Sequence, residues 1–397
     1  MQNDPMTGWV RPIRRGWVVR SEVPGPDVDE FAEKHRVRAA LAQPGAARGT
    51  LLAVQHPHRT PAALADGLSL LEALPQARRA LVDLVRMAYR PVVDVVAPYE
   101  VDGPDGSATG LLCMVDPAAV DLDGLSQVRH TEQVYPDVVT ERAAVLSGLG
   151  CATSAALLVP VTHGETLTAA VKDAIAAAGA PAVSTVDSAG RRHRVWLLGP
   201  GPIRDAIMAV AAARPLLVAD GNHRVAAAAE AKLDGILALI SAGPGLRIGA
   251  FHRVIVGTGR TADELAAAWR ACGLTVREDP DAVAPTVPGT VVVRHGHRTL
   301  VVDLPPPTAT DPLPRIDHEV VEELLIRKAL ALDPEGPNVR TLPAGRDPGP
   351  DVEAVLQIAP VPLADVLTVH AAGGRMPRKS TYFTPKPRSG LLLADLA

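Results

Sequence analysis

The stretch LLVADGNHRVAAAAEA, residues 216–231, decides the fold. An apolar run ends at Asp220, five residues Asp220-Gly221-Asn222-His223-Arg224 follow, and an alanine-rich segment begins at once. The pattern predicts a buried strand, a turn over Gly221 to Arg224, and a helix from Val225 onward. A strand that feeds a helix through so short a turn belongs to α/β architecture. Gly221 admits a positive φ at the bend. The helix start presents unpaired N–H groups and the positive end of its dipole, about 0.3–1 kcal/mol toward an anion. Arg224 adds a planar fork suited to phosphate or carboxylate. His223 can donate a hydrogen bond or relay a proton. Asp220, at the strand end, is placed to hold a metal or accept a proton. The turn is neither a Walker A loop nor a GxGxxG loop. The same residues also suit a plain capped turn with Arg224 in solvent, but His and Arg together before a helix are unnecessary for a cap.

Outward from the turn, strand and helix alternate over residues 126–257, which predicts a mixed sheet in a central domain. DVVTERAAVLSGL, TLTAAVKDAIAAAG and GPIRDAIMAVAAA read as helices. SAALLVPV, RRHRVWLLG, GILALISA and AFHRVIVG read as strands. In the N-terminal α/β region, 1–125, DVDEFAEKHRVRAALAQ reads as a helix with Asp27 or Asp29 near its start, and RGTLLAVQHP as a strand. Thr60 and Pro61 start the first of two helices between 60 and 88. VVDVVAPYEV and ATGLLCMVD read as strands joined by DGPDGS. Residues 258–310 form a small α/β insertion with the hairpin TVVVRHGHRTLVVDL. The connector LPPPTATDPLPR, 304–315, holds five prolines and forms no regular element. A C-terminal region, 315–397, follows.

Composition narrows the function. Net charge of -4 with a pI near 6.3 gives no reason to expect nucleic acid or an anionic membrane. No window reaches the ~20 apolar residues of a membrane helix, and the N-terminus lacks a signal-peptide core. A cytoplasmic protein is expected. Three cysteines, Cys113, Cys151 and Cys272, form no CxxC pair and read as small buried hydrophobes. HPH (56–58) and HGH (295–297) lack the cysteine or carboxylate neighbours of a zinc site.

Three further clusters carry polar chemistry. QVRHTEQVYPDVVTER contains His130, Glu132 and Arg142. GLRIGAFHRVIV contains His252 and Arg253, which face opposite sides of a strand. RMPRKSTYFTPK, residues 375–386, gathers Lys379, Ser380 and Thr381 beside Tyr382 and Phe383. Pro377 and Pro385 bracket this tail and SGLLLADL follows it, so the tail is expected to dock back as an ordered loop, with the aromatics as packing anchors.

Taken in order, these motifs resemble the family catalogued as domain of unknown function 1015. The family carries an Ala-Asp-Gly-His-His-Arg turn, matched by Ala219-Asp220-Gly221-Asn222-His223-Arg224, and a Met-Pro-Gln-Lys-Ser-Thr-Tyr-Phe-Tyr-Pro-Lys tail, matched from Met376 to Lys386. Asn222 stands where the family has its first His. The turn also resembles that of ParB/sulfiredoxin-like proteins, which include free-serine kinases. The resemblance implies a small-molecule phosphotransferase acting on a hydroxyl of serine or a related amino acid, with ATP or ADP and Mg²⁺. It implies Asp220, His223 and Glu132 as catalytic residues, with Asp220 also holding the metal. Gly221, Asn222, Arg224, Lys379, Ser380 and Thr381 would grip phosphates. His130, Arg142, His252 and Arg253 would contact substrate. A phosphate-ester hydrolase or lyase, and a nucleotide-sensing regulator without turnover, are the alternatives. The partners implied are a small-molecule substrate and a nucleotide, with a homodimer possible. Lys379 and Ser380 are expected within one ligand's length of Gly221 to Arg224.

Overall fold

The strand at 216–220 lies inside a nine-stranded mixed sheet in a computed structural model that describes residues 8–28, 34–243, 245–307 and 313–396. In chain order the strands of this region are β1 (Val10–Arg11), β2 (Ile13–Val19), β3 (Tyr89–Val95), β4 (Ala97–Gly103), β5 (Gly106–Val115) and β6 (Val128–His130). Then come β7 (Cys151–Ala152), β8 (Ala156–Pro160), β9 (Val183–Val186), β10 (Arg192–Val195), β11 (Leu216–Asp220) and β12 (Ile236–Ala242). The sheet runs β6-β11-β8-β12-β5-β4-β10-β9, with β1 beside β5. β11 is parallel to β6 and antiparallel to β8, and β12 is parallel to β8 and antiparallel to β5. The architecture is mixed α/β. Every residue of β12 is buried, which explains its apolar run Ile236 to Ile240; the buried Ser241 donates to Thr109 O at 2.9 Å.

The chain divides into two compact units. The first comprises residues 1–130, 134–247 and 384–397; the second comprises 131–133 and 248–383. In the first, Leu167, Val171 and Ala174 of the helix Gly164–Ala178, and Ile207 and Ala211 of the helix Pro202–Ala211, pack on Leu111, Leu158, Val218 and Ile240 of the sheet. A second sheet pairs β2 with β3 and with the C-terminal strand Leu392–Asp395, which also pairs with β7. The apolar SGLLLADL segment therefore docks the chain end as its sequence predicts.

The second unit is built on a six-stranded antiparallel sheet, in the order Thr275–Glu278, Arg298–Asp303, Thr290–His295, Val352–Ile358, Phe251–Val256, Val339–Pro343. The helix Ala262–Ala271 starts at a capping box: Thr261 caps Glu264 N–H, and Glu264 reaches back to Thr261 N–H. Trp269 on this helix is fully buried and donates Nε1–H to Leu325 O at 3.1 Å. Gly296, at φ +57, makes the bend of the HGH hairpin, and His295 bonds Arg260 O at 2.8 Å.

Local readings fail where short apolar runs are ambiguous. RGTLLAVQHP is not a strand: Leu51–Gln55 is a helix, capped by Thr50 Oγ1 accepting from Ala53 N at 3.3 Å. Four consecutive buried residues, Leu51 to Val54, give a helix buried all round no periodicity to betray it. VVDVVAPYEV is two strands in two sheets, broken near Asp94 at φ 51. The Thr60 cap and the DGPDGS hairpin form as expected. The helix over residues 34–41 is present, whereas Asp29 lies outside the described residues, as does 308–312 of the proline-rich connector. The carboxylate of Asp27 is buried, pairs with Arg388 at 3.0 Å and accepts from Ser389 N at 2.8 Å.

Candidate functional site

The turn after β11 is tighter than its sequence suggests. Gly221 alone is outside regular structure, at φ 92 and ψ 27, and the helix begins at Asn222, so Asn222, His223 and Arg224 form its first turn. A methyl group on Gly221 would stand 2.9 Å from Arg224 Nε, so only glycine leaves the guanidinium where it is.

Asp220 is held from two sides. One carboxylate oxygen accepts from Arg224 at 2.7 Å and the other from Lys386 at 2.6 Å. Arg224 also donates to Ala155 O at 2.9 Å. Lys386 is the last residue of the RMPRKSTYFTPK tail, and it is the tail's contact to the turn. Lys379 and Ser380, the tail residues expected to grip phosphate, belong to the second unit. Nothing in the spacing singled out Lys386 from the four cations of the tail; the chain path back to Asp220 did.

The two histidines are fixed by proton bookkeeping. His223 Nε2 accepts from Tyr135 N–H at 3.1 Å, so the neutral ring carries its proton on Nδ1. Tyr135 also stacks on it, with ring centroids 5.7 Å apart. Asn222 donates its amide to Val218 O at 3.4 Å, and its carbonyl oxygen accepts from His130 Nδ1 at 3.2 Å. Asn222, expected to grip phosphate, is buried and its side chain holds His130. His130 reaches Asn222 because β6 lies parallel to β11 with His130 opposite Val218. The helix Pro136–Leu149, which bears Arg142, packs on the helix Asn222–Glu230 through Val139, Ala143 and Ala227. Desolvation and then the charge of Arg224 lower the Arg142 pKa.

The remaining sequence-predicted residues are in the second unit and are engaged there. Arg253 is fully buried, pairs with Glu322 at 2.7 Å, and donates to the carbonyls of Arg378 and Lys379 at 3.2 Å each. His252 Nδ1 accepts from Ile358 N at 3.2 Å, and burial followed by the Arg253 charge lowers its pKa to about 4. Ser380 is buried and donates to Pro377 O at 2.6 Å. Thr381 donates to Glu132 at 3.3 Å, and Met376 N donates to Thr131 O at 2.8 Å. Lys379 Nζ sits 5.7 Å from the centroid of Phe251, which meets Tyr382 edge-on. These contacts order the tail loop; they leave Ser380 and Arg253 committed to the chain itself.

Cys113 and Cys151 are buried, and burial raises both thiols, Cys151 to about 12. Among the described residues, no group of three or more His, Cys, Asp or Glu is arranged to hold a metal ion. Both oxygens of Asp220, the residue expected to hold Mg²⁺, pair with cations. No helix among the described residues is long and apolar enough to cross a membrane.

A mixed α/β protein with a cation-lined strand–turn–helix at Asp220 is the class this geometry defines. The profile of the family described as "Protein of unknown function (DUF1015)" matches residues 94–319, more than half the chain. The chain belongs to that family. No curated protein matches it. Among solved structures it is similar to SbnI with a C-terminal truncation from Staphylococcus aureus, at 12% identity and a TM-score of 0.40, over 71% of this chain and 87% of the other. It is similar to a mutant free serine kinase in complex with AMP, at 12% identity and a TM-score of 0.37, over 68% and 90%. A conserved hypothetical protein from Pyrococcus furiosus matches at 13% identity and a TM-score of 0.35, over 68% and 91%.

Proposed function

We propose that the protein is a nucleotide-dependent phosphotransferase that phosphorylates a hydroxyl on serine or a related amino acid. The observation that carries the reading is the cation pair on Asp220. Arg224 and Lys386 are gathered on one carboxylate at the start of a helix, within the first unit. Phosphoryl transfer asks mainly for positioning and neutralisation of charge. ATP or ADP phosphates would draw Arg224 and Lys386 away from Asp220 and onto phosphate oxygens, aided by the helix N–H groups. His223, its proton on Nδ1, acts as a hydrogen-bond donor. The acceptor hydroxyl oxygen bonds to the terminal phosphorus as the bridging P–O bond breaks. The nucleotide leaves with one phosphate fewer, and the hydroxyl proton passes to the freed Asp220 carboxylate.

Titration calorimetry with ADP and ATP, with and without Mg²⁺, and a product assay with serine and threonine test the reading. Arg224→Ala removes charge-assisted bonds worth about 1.5–3 kcal/mol, so nucleotide affinity is expected to fall ten- to a hundredfold. Asp220→Asn is expected to abolish turnover with nucleotide binding retained. Full activity in both variants refutes the assignment.

A further inference from the structure

Thr153, Ser154 and Ala155 link β7 to β8 and lie beside the turn at Asp220. Ala155 O is the second anchor of the Arg224 guanidinium, which reaches it at 2.9 Å while holding Asp220 at 2.7 Å. The tail closes on the same segment. Thr153 O accepts from Gly390 N–H at 2.9 Å, and Ser389 Oγ donates to Ser154 Oγ at 3.3 Å. Ser389 and Gly390 follow shortly after Lys386, whose ammonium is on Asp220 at 2.6 Å. Both cations of the turn are thus tied, through a few bonds each, to this one stretch of chain. All of these residues belong to the first unit.

The hydroxyls of the segment have protons left to give. Gln55, at the end of the helix Leu51–Gln55, donates its amide nitrogen to Thr153 Oγ1 at 3.3 Å and to Ser154 Oγ at 3.2 Å. A hydroxyl offers one proton and two lone pairs. Ser154 Oγ accepts from Gln55 and from Ser389, so both lone pairs are taken and the group can only donate further. Thr153 Oγ1 also receives an amide hydrogen. Neither hydroxyl proton meets an acceptor among the described residues, and both residues are half-buried. Gln55 sets this polarity. A carboxylate in its place would accept both protons and turn them inward.

We infer that the Thr153 and Ser154 hydroxyls donate to the oxygens of a diphosphate group held at the same site by Arg224 and Lys386. The inference rests on the placing of phosphates at those two cations. The chemistry of the segment selects the ligand. An N–H or O–H on a ligand would find no lone pair on Ser154, whereas phosphoryl oxygens are acceptors only. The two cations supply charge, and the two hydroxyls, fixed by Gln55, supply direction.

Calorimetric titration of the full chain with inorganic pyrophosphate tests it, with acetate at matched ionic strength as the control. The Thr153→Val, Ser154→Ala double variant deletes two bonds to charged oxygens and is expected to weaken pyrophosphate binding about tenfold or more. Thr153→Ser with Ser154→Thr keeps both hydroxyls and should bind within a few-fold of the parent. Circular dichroism confirms that each variant is folded; if the hydroxyl-free pair is not, Ser154→Ala alone carries the test, with the same tenfold criterion. No pyrophosphate binding by the parent, a smaller loss in the hydroxyl-free variant, an equal loss in the exchanged one, or equal binding of acetate overturns the inference. The expected pattern of pyrophosphate binding without any kinase activity would sink the proposed function and leave these donors standing.

Discussion

Lys386 ties the C-terminal tail to the turn, and the strength of that tie is measurable. Its ammonium stands 2.6 Å from Asp220, with side chains 18% and 29% exposed. The pair is therefore neither a solvated surface contact, worth about 0.2–1 kcal/mol, nor a fully buried one, whose breakage costs about 3–5 kcal/mol. Arg224 keeps the other carboxylate oxygen at 2.7 Å, so Asp220 is not left bare when Lys386 is lost. That places the expected coupling near the lower end, about 1–2 kcal/mol. Lys386→Met keeps the aliphatic stem and removes only the charge. A double-mutant cycle with Asp220→Asn isolates the pair. Urea unfolding followed by tryptophan fluorescence is the assay. Trp9, Trp17 and Trp196 lie in the first unit and Trp269 in the second, so a Trp269→Phe background makes the signal report the first unit alone. Two separate units can unfold in two steps, which is why the signal must be local. A coupling energy below about 0.3 kcal/mol, the scatter expected for independent sites, would refute the role given to Lys386.

Arg253→Ala should destabilise the second unit by about 3–5 kcal/mol, because Glu322 and two tail carbonyls lose a fully buried partner; Trp269 fluorescence reports it, and a loss under 1 kcal/mol contradicts the contact. Acid should destabilise the same unit. His252 is held down to about 4 and His318 to about 3 by burial, so below pH 6.5 the unfolded chain takes up protons that the folded chain refuses. Stability is then full above pH 6.5 and falls as the pH drops toward 4, by roughly 3 kcal/mol for His252; a flat urea midpoint between pH 7 and 4.5, or an unchanged slope in His252→Gln, rejects this. Gly221→Ala forces a side chain to φ +92 and into Arg224 Nε, so it should cost about 1–2 kcal/mol. Calorimetry should show weaker nucleotide binding in that variant, and unaltered affinity would show that the guanidinium position does not matter.

Much of the candidate site was legible because its residues are neighbours in the chain. An apolar run, a glycine and an alanine-rich segment fix strand, bend and helix locally, so Asp220 and Arg224 were found on opposite sides of Gly221. His130 was found as a polar residue near a helix start, but its partner Asn222 was assigned to phosphate. Amide side chains look alike in sequence whether they are buried or exposed, and only the parallel pairing of β6 with β11 turns this one inward. Arg253 was read as a substrate ligand for the same reason: nothing local marks a guanidinium that will be fully enclosed by Glu322 and the tail carbonyls. The helix at Leu51–Gln55 was missed because a short run buried on every side has no period.

By itself, then, the sequence determined the α/β class, the turn at Asp220 and the docking of its last strand. These depend on periodicity, glycine conformation and apolar content, which act over a few residues. Tertiary structure decided which distant cations meet the turn. Lys386 lies 166 residues from Asp220, and His130 lies 92 residues from the Asn222 it bonds. Such meetings depend on the path of the whole chain, and no local spacing records them.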